Sequence, residues 1–279
     1  MKILIIGGKG YLGRRCAEVW GDEAVVAEDR ITTVEDVLHL LDKHLPQVVL
    51  NAAGVVGKPN VDWCEDHQLE TIEGNTLLPI IIAKACQERS VYLLHMGTGC
   101  IYYGYAPDPK GWKESDPANP SAMYTRAKYA ADLVLSTLPN VGVARIRMPI
   151  DCIPAPQNLI DKLARYPKVA DVFNSATVVE DMIAVFYKLL QARASGIFHV
   201  TNPGSISHRE ILELYRELVN PGHTNEWLTA EELVSTGLAQ KKRSNTILQS
   251  ENLSTFGISM RPIHEAVRDA MVQYAAYKE

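Results

Sequence analysis

The chain has 279 residues, enough for one large α/β domain or for a domain with a small added lobe. Apolar residues make up 47% and charged residues 22%, which excludes a disordered or fibrous chain. A net charge of -5, with Lys241-Lys242-Arg243 as the one basic cluster, argues against nucleic acid or an anionic membrane as the main partner.

The N-terminal apolar run, Ile3-Leu4-Ile5-Ile6, is too short for a signal peptide, and no later run approaches the roughly 18 apolar residues of a membrane span. Cys16, Cys64, Cys86, Cys100 and Cys152 are odd in number and scattered, with no Cys-x-x-Cys. They read as reduced thiols of a cytoplasmic protein, and no Cys/His set has zinc-ligand spacing, so no metal is expected.

Ile3–Ile6 has the character of a parallel strand buried on both faces. It runs into Gly7-x-x-Gly10-x-x-Gly13, with Lys9, Tyr11 and Leu12 between the glycines. Glycines at this spacing permit a tight strand-to-helix turn and let backbone N–H groups approach a pyrophosphate. A dinucleotide is therefore expected here. A second strand is expected at 24–27, followed by Glu28-Asp29-Arg30. An acidic residue at this strand end suits the ribose 2′-hydroxyl of NAD, and a basic one suits the 2′-phosphate of NADP. Lys9, Arg14 and Arg30 could surround that phosphate and Asp29 could oppose it, so the balance favours NADPH with NADH as the alternative. A third strand at 47–51 leads into Asn51-Ala52-Ala53-Gly54, whose small side chains let the chain pass under a cofactor.

The alternation of strands and helices up to about residue 150 predicts a Rossmann-type, doubly wound parallel sheet. Tyr124-x-x-x-Lys128 places a phenol and an ammonium on one helix face. The ammonium can lower the pKa of the phenol and bond a nicotinamide ribose, and the phenol can protonate a carbonyl oxygen. Thr98 can supply a second hydrogen bond to that oxygen. Arg147-Met148-Pro149 ends a further strand, where the proline is expected to stop the sheet and turn the chain toward the cofactor, with Met148 and Pro149 lining it. Frequent prolines then mark a smaller C-terminal lobe. The expected division is a nucleotide-binding domain over 1–150, completed by about 176–200, and a substrate lobe over 151–175 and 201–279. Val179, Met182, Ile183, Phe186 and Leu190 form a helical core stripe, and 196–202 reads as a strand. Ser207-x-x-Glu210 has capping-box spacing, and His208 inside it reads as structural.

Gly7-x-x-Gly10-x-x-Gly13, Asn51–Gly54, Asn75, Thr98 and Tyr124-x-x-x-Lys128 together resemble the extended short-chain dehydrogenase/reductases. The segments NAAGVVGKPNVDWCE, GTGCI, RIRMPI, TNPGSISHREILELYR and RSN narrow the likeness. They resemble the nucleotide-rhamnose synthase/epimerase-reductases, related to dTDP-4-dehydrorhamnose reductase, over nearly the whole chain. The resemblance implies that Cys100 is an epimerase acid/base and that a lysine returns the proton on the opposite sugar face. That lysine is Lys162, with Asn158 as a landmark and Lys168 as the competitor. It implies a substrate site including Val56, Gly57, Asn75, Thr98, Cys100, Asn158, Asn174 and Arg243, with Arg243 at the nucleotide end.

The chemistry is self-consistent. A 4-keto sugar has acidified C–H bonds at C3 and C5, and a thiol, with an ordinary pKa of about 8.5, is matched to removing such protons. The implied activity is 3,5-epimerisation and NAD(P)H-dependent 4-keto reduction of a nucleotide-4-keto-6-deoxyglucose. UDP is the preferred carrier and dTDP the alternative. A reductase without epimerase activity and a non-catalytic nucleotide-binding subunit are the rival readings. A 4,6-dehydratase, for which the chain has no room, is expected as a separate upstream protein. Related reductases often dimerise, though no patch in the sequence marks an interface.

Overall fold

The computed structural model describes residues 1–58 and 60–278; Pro59, within one of the family-like segments, lies outside them. The chain begins β1 (Ile3–Ile6), α1 (Tyr11–Trp20), β2 (Ala24–Val26), α2 (Val34–His44) and β3 (Val48–Asn51). Two short helices follow, α3 (Trp63–Asp66) and α4 (Gln68–Ile72), then a π-turn over Glu73–Leu77 that opens α5 (Leu78–Glu88). Next come β4 (Tyr92–Thr98), α6 (Met123–Leu135), β5 (Val141–Ile146) and β6 (Pro149–Ile150). The C-terminal part holds α7 (Leu159–Arg165), β7 (Lys168–Ala170), β8 (Phe173–Asn174), β9 (Thr177–Val178), α8 (Val179–Ala192) and β10 (Gly196–His199). It closes with β11 (Ile206–Ser207), α9 (His208–Leu218), β12 (Glu226–Leu228), α10 (Ala230–Ser235) and α11 (Ile263–Ala276).

Six strands form one parallel sheet in the order β10-β5-β4-β3-β1-β2. Strand order reverses between β1 and β3, so a crevice opens beyond their C-terminal ends, where such sheets bind ligands. The expected doubly wound sheet is present, and β1, β3, β4 and β5 are buried on both faces. Ile3, Ile5, Leu50, Phe186 and Leu190 pack on one face, and Leu4, Val37, Val49, Ile82 and Leu93 on the other. The α8 stripe is thus core, as its spacing requires. A separate apolar cluster holds the C-terminal elements together, with Ile160, Leu163, Ile211, Val267 and Met271 at its centre.

Two sequence expectations change at the end of β5. The strand stops at Ile146, before the proline, and Met148 takes a left-handed backbone with φ 44°. Pro149 does not stop a sheet there; it opens β6, which pairs with β9. Pro149 can sit in this strand because β6 is a two-residue pair, where the missing N–H costs little. The capping box forms as read: the Glu210 N–H donates to Ser207 Oγ (3.0 Å), and the Ser207 N–H donates to the Glu210 carboxylate (2.7 Å).

A charged cluster that local patterning does not signal ties α1 to the C-terminal part. Arg15 donates to both oxygens of the buried Asp151 (2.9 and 3.3 Å) and to Glu180 (3.4 Å), which also accepts from the Cys152 thiol (2.7 Å). Asp151, Cys152 and Glu180 offer three ligand-type atoms within 4.8 Å of one another. The Arg15 guanidinium already offsets the carboxylate charge that would attract a cation. Among the described residues, no helix is long and apolar enough to cross a membrane.

Candidate active site

The crevice is floored by glycine. An added Cβ at Gly7 would stand 2.4 Å from the Ala53 nitrogen, and one at Gly13 would stand 2.4 Å from the Gly7 carbonyl. The 7–13 turn and the 51–54 segment therefore touch through their backbones. Asn51 fixes the second segment: its Oδ1 accepts from the Ala53 N–H (3.0 Å), and its amide donates to His95 Nδ1 (3.0 Å). No side chain caps the first turn of α1, so its N–H groups are open to an anion. These features fit a pyrophosphate. Lys9 Nζ donates to the Glu28 carbonyl at the end of β2 (3.2 Å), next to the exposed Arg30, the end where a 2′-phosphate would lie. Arg14, by contrast, is on the solvated helix face beside Glu18 (3.7 Å). We expect Gly13→Ala to destabilise the protein by about 1–3 kcal/mol through overpacking and to abolish NADPH binding. Thermal denaturation and a cofactor fluorescence titration check both.

The reacting groups converge at the C-terminal end of β4. Thr98 is its last residue, and Thr98 Oγ1 accepts from the Cys100 N–H (3.2 Å). The first two turns of α6 bring Tyr124 and Lys128 beneath it. Tyr124 faces Cys100, Cys64 and Thr98. Burial above all, then the neighbouring cysteines, push its phenol above the ordinary range, with Thr98 acting in the opposite direction. The sequence expectation was a phenol lowered by Lys128. Instead Lys128 leans into the sheet and donates to the Met96 carbonyl (3.2 Å).

Burial lowers the Lys128 ammonium to about 8, with Asp132 acting against it. A basic group depressed on folding weakens the fold while it is charged. That cost is fully present below about pH 8 and fades as pH rises toward the unfolded value near 10.5. The stability gap between Lys128→Met and wild type is therefore expected to shift in favour of wild type across that window, which chemical denaturation at pH 7, 8, 9 and 10 measures.

Lys162 enters the site from α7. Burial, reinforced by Arg165, holds its ammonium below the ordinary range, and Cys100 draws it the other way. Lys168, the competitor, is exposed on β7 and paired with Glu226 (2.9 Å). Gly54 lies against Asn75 and Lys128, where an added Cβ would meet Asn75 Oδ1 at 2.9 Å and Lys128 Nζ at 3.2 Å. Val56 is exposed, and Gly57 is left-handed (φ 70°) against the Trp63 ring.

Several residues expected at the substrate are occupied with the protein itself. Asn158 is fully buried and caps α7. Its Oδ1 accepts from Asp151 and Ile160, and its amide donates to the carbonyls of Asp151 and Ile153. Asn75 exchanges two hydrogen bonds with the Val55 backbone (3.1 and 2.7 Å). Arg243 makes a two-pronged ion pair with Asp62 (2.7 and 2.8 Å), which holds its fork across the chain. Asn174 accepts from Arg147 and from the Thr246 N–H (3.1 Å).

Two residues at the site were missed. Arg147 is buried beside Cys100, and His95 is fully buried behind Asn51. Desolvation, with Lys128 nearby, keeps the His95 imidazole neutral.

Comparison with known proteins adds relatives to this geometry. The model of the RmlD substrate binding domain matches residues 1–276. A bifunctional dTDP-4-dehydrorhamnose 3,5-epimerase/dTDP-4-dehydrorhamnose reductase from Arabidopsis thaliana is 35% identical, over 92% of this chain and 87% of its own length. A trifunctional UDP-glucose 4,6-dehydratase/UDP-4-keto-6-deoxy-D-glucose 3,5-epimerase/UDP-4-keto-L-rhamnose-reductase from the same plant is 34% identical over 96% of this chain, which spans only 41% of it. The crystal structure of the L780 UDP-rhamnose synthase from Acanthamoeba polyphaga mimivirus superposes with a TM-score of 0.90 at 29% identity, covering 98% of this chain and 99% of that one. On these matches, the chain is a member of the RmlD substrate-binding-domain family.

Proposed function

We propose that this protein converts a nucleotide-4-keto-6-deoxyglucose to the corresponding nucleotide-L-rhamnose, with UDP as the preferred carrier, by 3,5-epimerisation followed by 4-keto reduction. The observation that carries the reading is that Cys100 lies near both Tyr124 and Lys162, which supports one shared site for epimerisation and reduction. The relatives named as bifunctional and trifunctional epimerase/reductases, and as a UDP-rhamnose synthase, support the same reading.

NADPH, when bound, supplies hydride to C4. Gly7, Gly10 and Gly13 would admit its pyrophosphate, Lys9 and Arg30 its 2′-phosphate, and Lys128 its nicotinamide ribose. Met148, Pro149 and Ala52–Gly54 would border the ring and ribose.

The protein's own groups handle the protons. The Cys100 thiolate takes the proton from C3 or C5, leaving a thiol and an enolate whose charge lies on O4. Lys162 delivers a proton to the opposite face, becoming a neutral amine, and a depressed ammonium is the better donor. Thiol and amine then exchange with solvent before the second centre reacts. During reduction, Thr98 and Tyr124 hold O4. Tyr124 gives its proton to the alkoxide oxygen, and a phenol kept protonated by burial is the form this step requires.

The substrate must come from a 4,6-dehydration, carried out at another active site. The reading takes the enzyme as a cytoplasmic homodimer, in keeping with its five free thiols and with the habit of related reductases. Incubation of the pure protein with UDP-4-keto-6-deoxyglucose and NADPH tests the reading. UDP-L-rhamnose and stoichiometric NADPH oxidation, with no added epimerase and with NADH less effective, are expected. A D-configured product would contradict it.

A further inference from the structure

Two arginines leave β5 two residues apart, and the fold treats them differently. Arg145 is buried and has a carboxylate: its Nε donates to the fully buried Asp132 (2.8 Å), and its Nη1 to the Tyr102 hydroxyl (2.7 Å). Arg147 is 1% exposed, and no carboxylate lies within ion-pair distance of it among the described residues. Its fork is held entirely by neutral oxygens. Nη1 donates to the Gly99 carbonyl (3.3 Å) and to Ser244 Oγ (3.0 Å), and Nη2 donates to Asn174 Oδ1 and the Ser244 carbonyl. Nε is buried without any partner.

A buried cation with no counter-ion costs several kcal/mol, so negative charge formed beside Arg147 would be strongly stabilised. The Gly99 carbonyl that Arg147 holds belongs to the peptide unit leading into Cys100. Gly99 itself is packed against Leu248, whose Cδ1 an added Cβ would meet at 2.4 Å. The titratable groups around Arg147 are Cys100, Tyr103 and His208. Burial, with Arg147 nearby, lowers His208, while the bond from its Nδ1 to the Ala170 carbonyl (2.9 Å) acts the other way. Around Cys100 stand Arg147, Lys162 and the protonated Tyr124. Of these groups, Cys100 is the one placed to carry negative charge beside Arg147.

We propose that Arg147 is the fixed counter-cation of the epimerase step, a positioning residue that holds negative charge at Cys100 and along the path from its sulfur to the enolate. This rests on the epimerase/reductase reading above. The charge logic is simple. Proton abstraction moves one negative charge from sulfur to O4, and Lys162 discharges it by protonating carbon. A cation that cannot lose its proton stabilises that charge at every stage before discharge, in a dry site where its field is weakly screened. Asn174 and Ser244 fix the guanidinium beside the Gly99–Cys100 peptide without neutralising it, which a carboxylate in their place would do. Reduction of an already epimerised ketone needs no thiolate and has little use for Arg147.

The test uses Arg147→Gln and Arg147→Lys beside wild type, with thermal midpoint and NADPH titration as controls for folding. Three readouts are followed: alkylation of Cys100 by iodoacetamide at pH 7 by mass spectrometry, deuterium incorporation at C3 and C5 of UDP-4-keto-6-deoxyglucose, and reduction of UDP-4-keto-L-rhamnose. In Arg147→Gln, alkylation is expected to slow about 10-fold or more and deuterium incorporation about 100-fold, with reduction within about 5-fold of wild type. Arg147→Lys, which keeps the charge, is expected to recover most of the alkylation rate. A folded Arg147→Gln that alkylates at the wild-type rate overturns the proposal. So does a parallel loss of exchange and reduction that lysine does not relieve. Should Arg147→Gln not fold, Arg147→Lys decides alone: alkylation near wild type supports the counter-cation, and alkylation slowed about 10-fold removes it. If wild type incorporates no deuterium, the epimerase reading fails, while alkylation still tests the coupling of Arg147 to Cys100.

Discussion

Cys100→Ala is expected to lose deuterium incorporation at C3 and C5 by about 10²–10⁴-fold, the span of a general base, while still reducing a ketone supplied in the L-configuration. The separation follows from position. Cys100 lies two residues beyond Thr98, bonded to it through its backbone N–H and not through its thiol. Removing the thiol therefore leaves that contact and the Thr98 and Tyr124 pair in place. Alanine also fits without overpacking at a half-buried site, so folding is not expected to suffer. Solvent exchange read by NMR, and NADPH oxidation with UDP-4-keto-L-rhamnose, measure the two halves separately. Equal loss in both would mean that Cys100 shapes the site for every step rather than moving a proton.

Tyr124→Phe should show the mirror image. Reduction is expected to fall about 10²–10⁴-fold, because the acid that protonates O4 is removed and Thr98 can only hold that oxygen, while exchange at C3 and C5 continues. The exchange could even accumulate epimerised ketone, since its outlet is blocked. The ring stays, so the packing around α6 is retained. Because burial holds the phenol above its ordinary range, wild-type reduction should show no loss from phenol ionisation up to at least pH 10, the value of a free tyrosine. A decline in kcat below that pH in wild type, absent from the reduced residual rate of Tyr124→Phe, would contradict this assignment.

What the sequence revealed was what local chemistry controls. The β1–turn–α1 unit is written in four apolar residues and three spaced glycines, and the glycines are needed because neighbouring backbone leaves no room for a Cβ. The Tyr124-x-x-x-Lys128 spacing requires only a helix. The Ser207–Glu210 capping box and the α8 stripe are local as well. Cys100 and Lys162 came from family resemblance, since nothing in their local pattern separates a catalytic thiol or amine from an ordinary one.

What the sequence did not carry is long-range. The Arg243 fork is held by Asp62, 181 residues away, a partner no local pattern announces. The helix-capping bonds of Asn158 likewise come into view only with the turn it closes. Arg147 looked like the end of a strand. Its significance lies in what it lacks, a carboxylate, and in contacts with Ser244 and Asn174 that folding alone assembles. The expected lowering of Tyr124 failed because burial raises the phenol while Lys128 turns to the Met96 carbonyl, and both depend on the whole fold.

The central claim is that one site both epimerises and reduces. It is tested most directly by giving wild-type protein UDP-4-keto-6-deoxyglucose and NADPH in deuterated water and reading the product by NMR. The account predicts UDP-L-rhamnose carrying deuterium at C3 and C5, with one NADPH oxidised per product. NADPH oxidation yielding a 6-deoxyhexose that retains hydrogen at both carbons would contradict it and leave a reductase alone.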